Sequence, residues 1–218
     1  MIYLASRSPR RLALLEQIGI TDVRLLLDED EARAEALEAV RPKESPTQYV
    51  ERVARAKGEA AWARLMALRD TAGQAGTTDA WPLAPLLAAD TTVAVDGKIL
   101  GKPEDADDAA RILGLLSGRS HRVLSSVVVI GPSGKLRQCT QVSRVRFRRL
   151  TDDDIAGYIA SGEPFGKAGA YGIQGLAACF VRRIEGSYSG IMGLPLFETA
   201  QLLGKVGVPP VRVDGSRA

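Results

Sequence analysis

Residues 86–100, LLAADTTVAVDGKIL, do most to decide the fold. Leu86–Val95 is apolar or β-branched apart from one charged residue, Asp90, and such a run is typical of a buried strand. The Asp-Gly dipeptide at 96–97 is a strong signal for a two-residue hairpin turn. Lys98–Leu100 is therefore predicted to be a short strand that pairs antiparallel with Leu86–Val95.

The chain before this hairpin alternates strands with helices. Ser8 suits the N-cap of the first helix, Pro9 its first turn and Gly19 the position beyond its end. A second helix begins at Ser45-Pro46, and its apolar residues recur at helical spacing. The predicted elements are a strand over residues 2–5, a helix over 9–18, a strand over 23–27, a helix over 46–68 and an exposed connection over 69–85.

The chain after the hairpin adds three more helices and the longest strands. The predicted elements are a helix over residues 106–116, strands over 121–130 and 136–147, a helix that Thr151 opens through a capping box, a strand over 179–184 and a helix over 195–203. This order implies an α/β fold with a mixed, partly antiparallel central sheet flanked by helices, in one domain or in two lobes around a cleft. We expect residues 205–218 to form a flexible tail.

Composition excludes several classes of protein. The 218 residues are 45% hydrophobic and 25% charged, as in an ordinary globular protein rather than a disordered or collagen-like chain. No stretch reaches the roughly 18 apolar residues that a membrane-spanning helix needs. The N-terminus, MIYLASRSPRR, has its apolar run before its charges, the reverse of a secretory signal. We therefore expect a cytoplasmic protein without a membrane partner.

Cysteine, histidine and net charge narrow the chemistry further. Cys139 and Cys179 are too isolated to make a disulfide framework or a thiolate zinc site, and we expect both to be buried, reduced thiols. His121 is the only histidine, so any metal must be bound mainly by oxygen ligands. The net charge of +3 does not indicate general nucleic-acid binding, although local basic clusters could hold a small polyanion.

Cationic residues cluster at the start of the first helix. Arg10 and Arg11 lie in its opening turn, where the helix dipole is positive and backbone N–H groups are unpaired, so a bound anion would stabilise them there. With the hydroxyls of Ser6 and Ser8, they could form a cradle for a polyphosphate. Two solvated arginines on a surface helix explain this segment equally well.

Four other charged residues are candidates for a site. Lys57 falls within the apolar stripe of the second helix, where it either snorkels to solvent or reaches a partner. Asp90 interrupts a strand, where desolvation requires a hydrogen-bonding or metal partner. Lys102, just after the hairpin, is either an ordinary loop lysine or a cation at the same end of the sheet. Glu31 is the best second carboxylate, although a solvated acidic loop over 28–31 explains it too.

The segment 162–175 is rich in glycine. Such density lets backbone approach a ligand closely, and Gln174 offers an amide able to pair with the edge of a base. A flexible loop without a ligand is the other interpretation.

Several motifs, in the right order and over nearly the whole chain, together resemble the Maf family of nucleoside triphosphate pyrophosphatases. They are LASRSPRR at 4–11, ADT at 89–91, LGKP at 100–103, LSG at 116–118 with His121, KAGAYGIQG at 167–175, GSY at 186–188 and GLP at 193–195. The resemblance implies an inosine-triphosphatase-like fold with a single catalytic domain over residues 1–204. The string at 167–175 is similar to the branch of the family that acts on dTTP and UTP.

The resemblance also implies a reaction and a site. The reaction is cleavage between the α- and β-phosphates, which gives a nucleoside monophosphate and pyrophosphate, in a house-cleaning role that removes non-standard pyrimidine nucleotides. Asp90 becomes the catalytic carboxylate and, with Glu31, a ligand of a divalent metal ion, Mg²⁺ or Mn²⁺. Gly166 departs from the branch, which typically has Asp there. The implied substrate-binding residues are Ser6, Ser8, Arg10, Arg11, Lys57, Thr91, Lys102 and Gln174.

Three other functions stay open at this point. The 7-methyl-GTP branch of the family is the nearest competitor. A non-catalytic nucleotide sensor, coupled to the cell-division arrest associated with the family, would use the same cradle without needing a metal. A nucleic-acid-binding module would need a continuous basic or aromatic surface, which a chain that is 5% aromatic with mixed charges does not favour. We therefore expect a nucleoside triphosphate partner, no nucleic acid and, as the family suggests, a homodimer.

Overall fold

The computed structural model describes residues 1–28, 30, 32, 36–77 and 80–210. Two short 3₁₀ turns lie in or next to the glycine-rich segment 162–175: Ala168–Ala170 lies within it, and Leu176–Phe180 directly follows it. The described strands and helices, in chain order, are β1 (Ile2–Leu4), α1 (Pro9–Gln17), β2 (Val23–Leu25), α2 (Pro46–Gln74), β3 (Leu86–Val95), β4 (Lys98–Leu100), α3 (Ala106–Leu116), β5 (Ser120–Ile130), β6 (Leu136–Phe147), α4 (Asp152–Ala160), β7 (Val181–Glu185), α5 (Tyr188–Met192) and α6 (Leu196–Gly204).

These strands form one mixed sheet, which confirms the predicted α/β class. Its order is β2-β1-β3-β5-β6-β7, with β4 on β3. β1 is parallel to both β2 and β3, whereas all other described pairs are antiparallel. The hairpin predicted from Asp96-Gly97 is confirmed, and both residues have the positive φ that this turn requires.

The sheet has a gap along one edge of β3. β5 pairs with one edge of β3 along its length, from Leu86 to Ala94. β1 and β4 therefore share the opposite edge, where the gap lies. β1 reaches only as far as Leu87, and β4 begins its pairing at Val93. The backbone between these points, which includes Asp90, therefore faces the loops that leave β1 and β4 instead of a neighbouring strand.

Helices cover both faces of the sheet. On one face α2 packs so closely that a Cβ built on Gly58 would lie 3.0 Å from Val128 Cγ1. On the other face, α1 and α6 pack with Leu4, Leu87 and Val127 in one buried cluster. Alternate residues of β3 thus point to different layers, as the period of two in a strand requires.

Several boundaries differ from the sequence prediction. α2 continues to Gln74, six residues beyond the predicted end at Leu68, because Ala72 is still buried and keeps the helix against the protein. α5 was not predicted; it is only five residues long and rests on the Ser187 cap, whose side chain accepts from Gly190 N–H. In the predicted tail, residues 205–210 form a turn followed by irregular chain, and residues 211–218 lie outside the described part of the structure.

The prediction that both thiols are buried is wrong for Cys179 and only partly right for Cys139. Both cysteines are free, but Cys139 is half-buried and Cys179 is exposed. Within the turn Leu176–Phe180, Ala177 and Phe180 face the core, which leaves Cys179 toward solvent. Among the described residues, no helix is long and apolar enough to cross a bilayer.

His121 is buried in an aromatic cluster next to the glycine-rich segment. It is 2% exposed, its ring lies edge-on to Phe147 and Tyr171, and its Nε2 lies 2.8 Å from Tyr171 Oη. Its Nδ1 has no partner among the described residues. Burial disfavours the imidazolium and lowers the pKa of His121 from 6.5 to about 4.

We expect this burial to make stability depend on pH. Between pH 6.5 and about 4, His121 is protonated in the unfolded chain but neutral in the folded protein. The free energy of unfolding therefore falls as the pH falls through this window, by about 3 kcal/mol in all. Because the chain has one histidine, its imidazole proton resonance can be followed by NMR without assignment. A midpoint near 4 is expected, and a midpoint near 6.5 would contradict the burial.

Candidate functional site

A pocket of about 760 Å³ occupies the gap beside β3. It lies where the loop after β1, the start of α1, α2 and the glycine-rich segment meet. Glu31 lies outside the described residues, so its predicted place in the site stays a prediction. The predicted site residues that line the pocket are Ser6, Ser8, Arg10, Arg11, Lys57, Asp90, Thr91, Lys102 and Gln174.

Asp90 is the buried carboxylate of this pocket. It is 6% exposed, and its Oδ1 accepts a hydrogen bond of 2.7 Å from Lys57 Nζ. The lysine comes from α2, which crosses this face of the sheet. Of the two alternatives that the sequence left open for Lys57, the structure therefore shows the one in which the lysine reaches a partner instead of snorkelling to solvent. A buried carboxylate with one cationic partner can hold a water, a proton or a metal ion.

Glu38 belongs to the pocket although the sequence did not single it out. Its Oε1 accepts from Lys57 Nζ at 2.7 Å and its Oε2 from Lys102 Nζ at 2.9 Å. Partial burial raises the pKa of Glu38, but the two lysines outweigh it and the net shift is downward. At pH values above the ordinary carboxyl pKa, this network therefore adds to the free energy of unfolding. The contribution is lost as the pH falls through the lowered pKa of Glu38.

Arg11 is held by three hydrogen bonds from its guanidinium. Nε donates to the carbonyl of Gly193 at 2.8 Å, Nη1 to Ser6 Oγ at 3.0 Å and Nη2 to Thr91 Oγ1 at 3.3 Å. All three acceptors are neutral, so the positive charge is oriented without being cancelled. Burial lowers the pKa of the Arg11 guanidinium, and nearby Asp90 opposes this shift. The alternative interpretation, in which Arg11 is a solvated arginine on a surface helix, is therefore wrong for this residue.

Arg10 also turns toward the pocket. Its Nε donates to the carbonyl of Met192 at 3.3 Å, in the segment next to the Arg11 acceptor Gly193. Two guanidinium groups at the start of α1 therefore share one backbone segment across the pocket. Guanidinium donors fixed in this way suit phosphate oxygens.

A chain of buried hydroxyls orients the acceptor that Arg11 uses. Ser125 Oγ donates to the carbonyl of Gly190 at 2.6 Å, because a carbonyl can only accept. The Thr91 hydroxyl must then donate to Ser125 Oγ, at 2.8 Å. This leaves the lone pairs of Thr91 Oγ1 for the Arg11 guanidinium. The relay connects β5, β3 and α1.

Removing the Ser125 hydroxyl is expected to weaken substrate binding, and this effect should exceed the one that the loss of stability would cause by itself. In Ser125→Ala the Thr91 hydroxyl is free to turn to the carbonyl of Gly193, 3.4 Å away, and Arg11 loses an oriented acceptor. We expect KM for the nucleotide that the family resemblance implies to rise about tenfold, and the unfolding free energy to fall by about 1–3 kcal/mol.

The matched control is Ser117→Ala. Ser117 Oγ accepts from Leu150 N–H at 2.8 Å, and neither residue lines the pocket. It should lower stability to a similar extent and leave KM unchanged. Equal KM values for the two variants in steady-state kinetics would count against the relay.

The glycine-rich segment forms one wall of the pocket and is not a free loop. Gly169 N–H donates to the carbonyl of Gly101 at 2.9 Å, and a Cβ at this position would lie 2.8 Å from Val93. Glycine at 169 thus permits a close approach to β3. A Cβ on Gly166, in contrast, would meet no atom within 4 Å, so the departure from Asp at this position leaves open space in the wall.

The carboxylates of the pocket fit a divalent cation. Among the described residues no group of three or more His, Cys, Asp and Glu side chains could hold a metal by itself. Asp90 and Glu38, however, share the Lys57 ammonium at 2.7 Å each, so their oxygens lie close to one point. Mg²⁺ is commonly held by one or two carboxylates together with substrate phosphates, and this donor set meets that requirement.

The chain is similar in sequence to known proteins. The family model described as "Maf-like protein" matches residues 1–206. A dTTP/UTP pyrophosphatase from Ralstonia nicotianae is 57% identical over 207 residues, which cover 95% of this chain and 94% of that protein. Another dTTP/UTP pyrophosphatase, from Cupriavidus metallidurans, is 55% identical over 208 residues, 95% of this chain and 98% of that one.

Similarity to solved structures is more distant. The Staphylococcus aureus Ham1 protein is 16% identical with a TM-score of 0.40, over 67% of this chain and 71% of that one. The match of the family model to residues 1–206 and identities above half with curated relatives establish that this chain belongs to the Maf-like protein family.

Proposed function

We propose that this protein hydrolyses dTTP and UTP between the α- and β-phosphates and releases the nucleoside monophosphate and pyrophosphate. One observation carries the proposal: a buried carboxylate, Asp90, shares its pocket with cationic side chains that include Arg10, Arg11, Lys57 and Lys102 from three separate segments. The names of the relatives support this substrate class. Non-standard pyrimidine triphosphates with the same base edge would be cleared by the same reaction.

The chemical difficulty of this reaction is electrostatic. A triphosphate repels a nucleophile, and negative charge grows on the leaving pyrophosphate. Oriented guanidinium and ammonium groups offset that charge, and they act more strongly in a pocket that excludes water than in solution. Asp90 would orient or deprotonate the attacking water, or bind the metal ion beside it. Holding these groups in place supplies much of the remaining rate acceleration.

A divalent cation, Mg²⁺ or Mn²⁺, is the proposed cofactor. Asp90 and Glu38 would hold it, and when bound it would neutralise phosphate charge. Lys57 donates to both carboxylates, and its ammonium would become available to phosphate oxygens once a cation is bound between them. Glu31 stays a further candidate ligand from the sequence.

Gln174 is the proposed reader of the base. Its side chain is exposed on the pocket wall, and an amide can pair with the alternating carbonyl and N–H groups of thymine and uracil. Discrimination between these two bases should be weak, since one methyl group is worth about 1–3 kcal/mol in a pocket.

A substrate panel tests the proposal through Gln174. With dTTP, UTP, CTP, GTP and 7-methyl-GTP, and with phosphate and pyrophosphate assayed separately, the wild-type protein should prefer dTTP and UTP and release pyrophosphate. Gln174→Ala should reduce this preference by about tenfold or more, with a smaller effect on the rate of the step itself. An unchanged ranking would argue against base reading. Nucleotide binding without metal-dependent pyrophosphate release would favour a sensor instead.

The location and assembly of the protein are further proposals. We infer from the composition that it works in the cytoplasm, where nucleoside triphosphates are present, and that nucleic acid is not its partner. The family suggests a homodimer.

A further inference from the structure

The side chain of Gln174 is carried by a tight turn in the wall of the pocket. Gly175 N–H donates to the carbonyl of Gly172 at 3.0 Å, which places Ile173 and Gln174 at the two central positions of the turn. Ile173 is 4% exposed and packs in the core. Gln174 points the other way and has no hydrogen-bond partner among the described residues. Its direction therefore depends on how firmly the two ends of the turn are held.

Two side chains hold these ends. The Glu163 carboxylate accepts from Leu176 N–H through Oε2 at 2.9 Å and from the Tyr158 hydroxyl through Oε1 at 2.8 Å. Tyr158 Oη in turn accepts from Gly172 N–H at 3.1 Å. One carboxylate thus fixes the chain after the turn directly and the chain before it through the tyrosine.

The glycines of the turn fit this arrangement. A Cβ built on Gly175 would lie 2.3 Å from Glu163 Oε1, although the backbone there has no positive φ. The carboxylate thus lies directly against the backbone, and a side chain at 175 would displace it. Tyr158, the other member of the clamp, is 3% exposed and is fixed within α4, so the clamp rests on a rigid element.

We propose that Glu163 is a positioning residue for base selection: with the Tyr158 hydroxyl, its carboxylate clamps the turn 172–175 so that Gln174 faces the base of the nucleotide. This inference rests on the proposed function, in which Gln174 reads the base. Glu163 itself touches backbone and Tyr158, not the substrate. Its removal should therefore change which nucleotide is preferred more than how fast a good substrate is cleaved.

Glu163→Gln tests the clamp with little change in shape. The amide has one oxygen in place of two, so it can accept from Leu176 N–H or from the Tyr158 hydroxyl but not from both, and its NH2 group can only donate to Tyr158 Oη. With the amide oxygen on Leu176 N–H, the Tyr158 hydroxyl proton therefore loses its acceptor. We expect the ratio of kcat/KM for UTP over CTP to fall about tenfold, while kcat for UTP changes less than about threefold. Tyr158→Phe, which frees only the Gly172 end, should shift the ratio in the same direction by a smaller factor.

The control is Glu185→Gln. This glutamate pairs with Arg183 on β7 at 3.1 Å and does not line the pocket, so its ratio should match wild type. If Glu163→Gln does not fold, as judged by circular dichroism and thermal unfolding, Tyr158→Phe carries the test. A folded Glu163→Gln or Tyr158→Phe variant with a wild-type ratio would overturn the clamp.

A double substitution separates this inference from the proposed function. In a Gln174→Ala background, Glu163→Gln should have no further effect on the ratio, because the group that it positions is gone. A full additional effect in that background would overturn the inference and leave base reading by Gln174 intact. A wild-type ratio in Gln174→Ala alone would instead refute base reading by Gln174, and with it the clamp, whereas only a loss of pyrophosphate release from dTTP and UTP in the wild-type protein would refute the proposed hydrolysis.

Discussion

Replacing Asp90 with Asn is expected to lower the rate of pyrophosphate release from dTTP by about 10³-fold or more, while the Kd for the nucleotide changes less than about tenfold. The amide keeps the shape of the side chain, and its oxygen can still accept from Lys57 Nζ, now 2.7 Å away. It cannot take a proton and carries no charge for a metal ion. Chemistry should therefore be lost while the cationic cradle remains. A pyrophosphate-specific assay and equilibrium binding measure the two effects.

The same change can be made elsewhere in the same hairpin as a control. Asp96 is exposed in the turn between β3 and β4 and has a φ of 48°, which Asn tolerates. Asp96→Asn should retain near-native turnover. An Asp90→Asn variant that also released pyrophosphate at near-native rates would remove Asp90 from the reaction.

Replacing Lys57 with Met should have the largest effect on stability. The Asp90 side chain is 8% exposed and Lys57 is its cationic partner. Met preserves the apolar stem of the lysine but leaves the buried carboxylate without its hydrogen-bonded cationic partner, which costs about 3–5 kcal/mol. Substrate binding should weaken as well, because the variant lacks a cation that we propose to bind phosphate, and kcat/KM should fall at least about 100-fold. Urea unfolding and steady-state kinetics measure the two losses.

The double variant Lys57→Met with Asp90→Asn isolates the cause of the destabilisation. Without a buried charge to neutralise, it should recover much of the lost unfolding free energy and no activity. The exposed Lys98→Met variant should have wild-type stability. If the double variant were as unstable as the sum of the single ones, the loss would come from packing and not from the buried charge.

Much of the fold could be predicted because local chemistry decides it. The Asp-Gly turn sets the β3–β4 hairpin, and Thr151 sets the start of α4 through a capping box that the structure contains. The end of α2 could not be predicted, because Ala72 keeps the helix in place through tertiary burial. The exposure of Cys179 likewise depends on which residues of a 3₁₀ turn face the core.

The site divides in the same way. Asp90 and Lys57 could be singled out because each places a charge where the local pattern demands an apolar residue. Glu38 and Glu163 could not, since both lie outside strands and helices, where no periodicity marks a residue as unusual. Their importance comes from contacts with Lys57 in one case and Leu176 N–H in the other, and such contacts exist only once distant segments have packed together.

The most direct measurement is a ³¹P NMR time course of dTTP with the protein and Mg²⁺. If the pocket holds the triphosphate around Asp90 as described, dTMP and pyrophosphate should form in equal amounts, with no dTDP at any time. The appearance of dTDP and orthophosphate, or intact dTTP after prolonged incubation with folded protein, would contradict it.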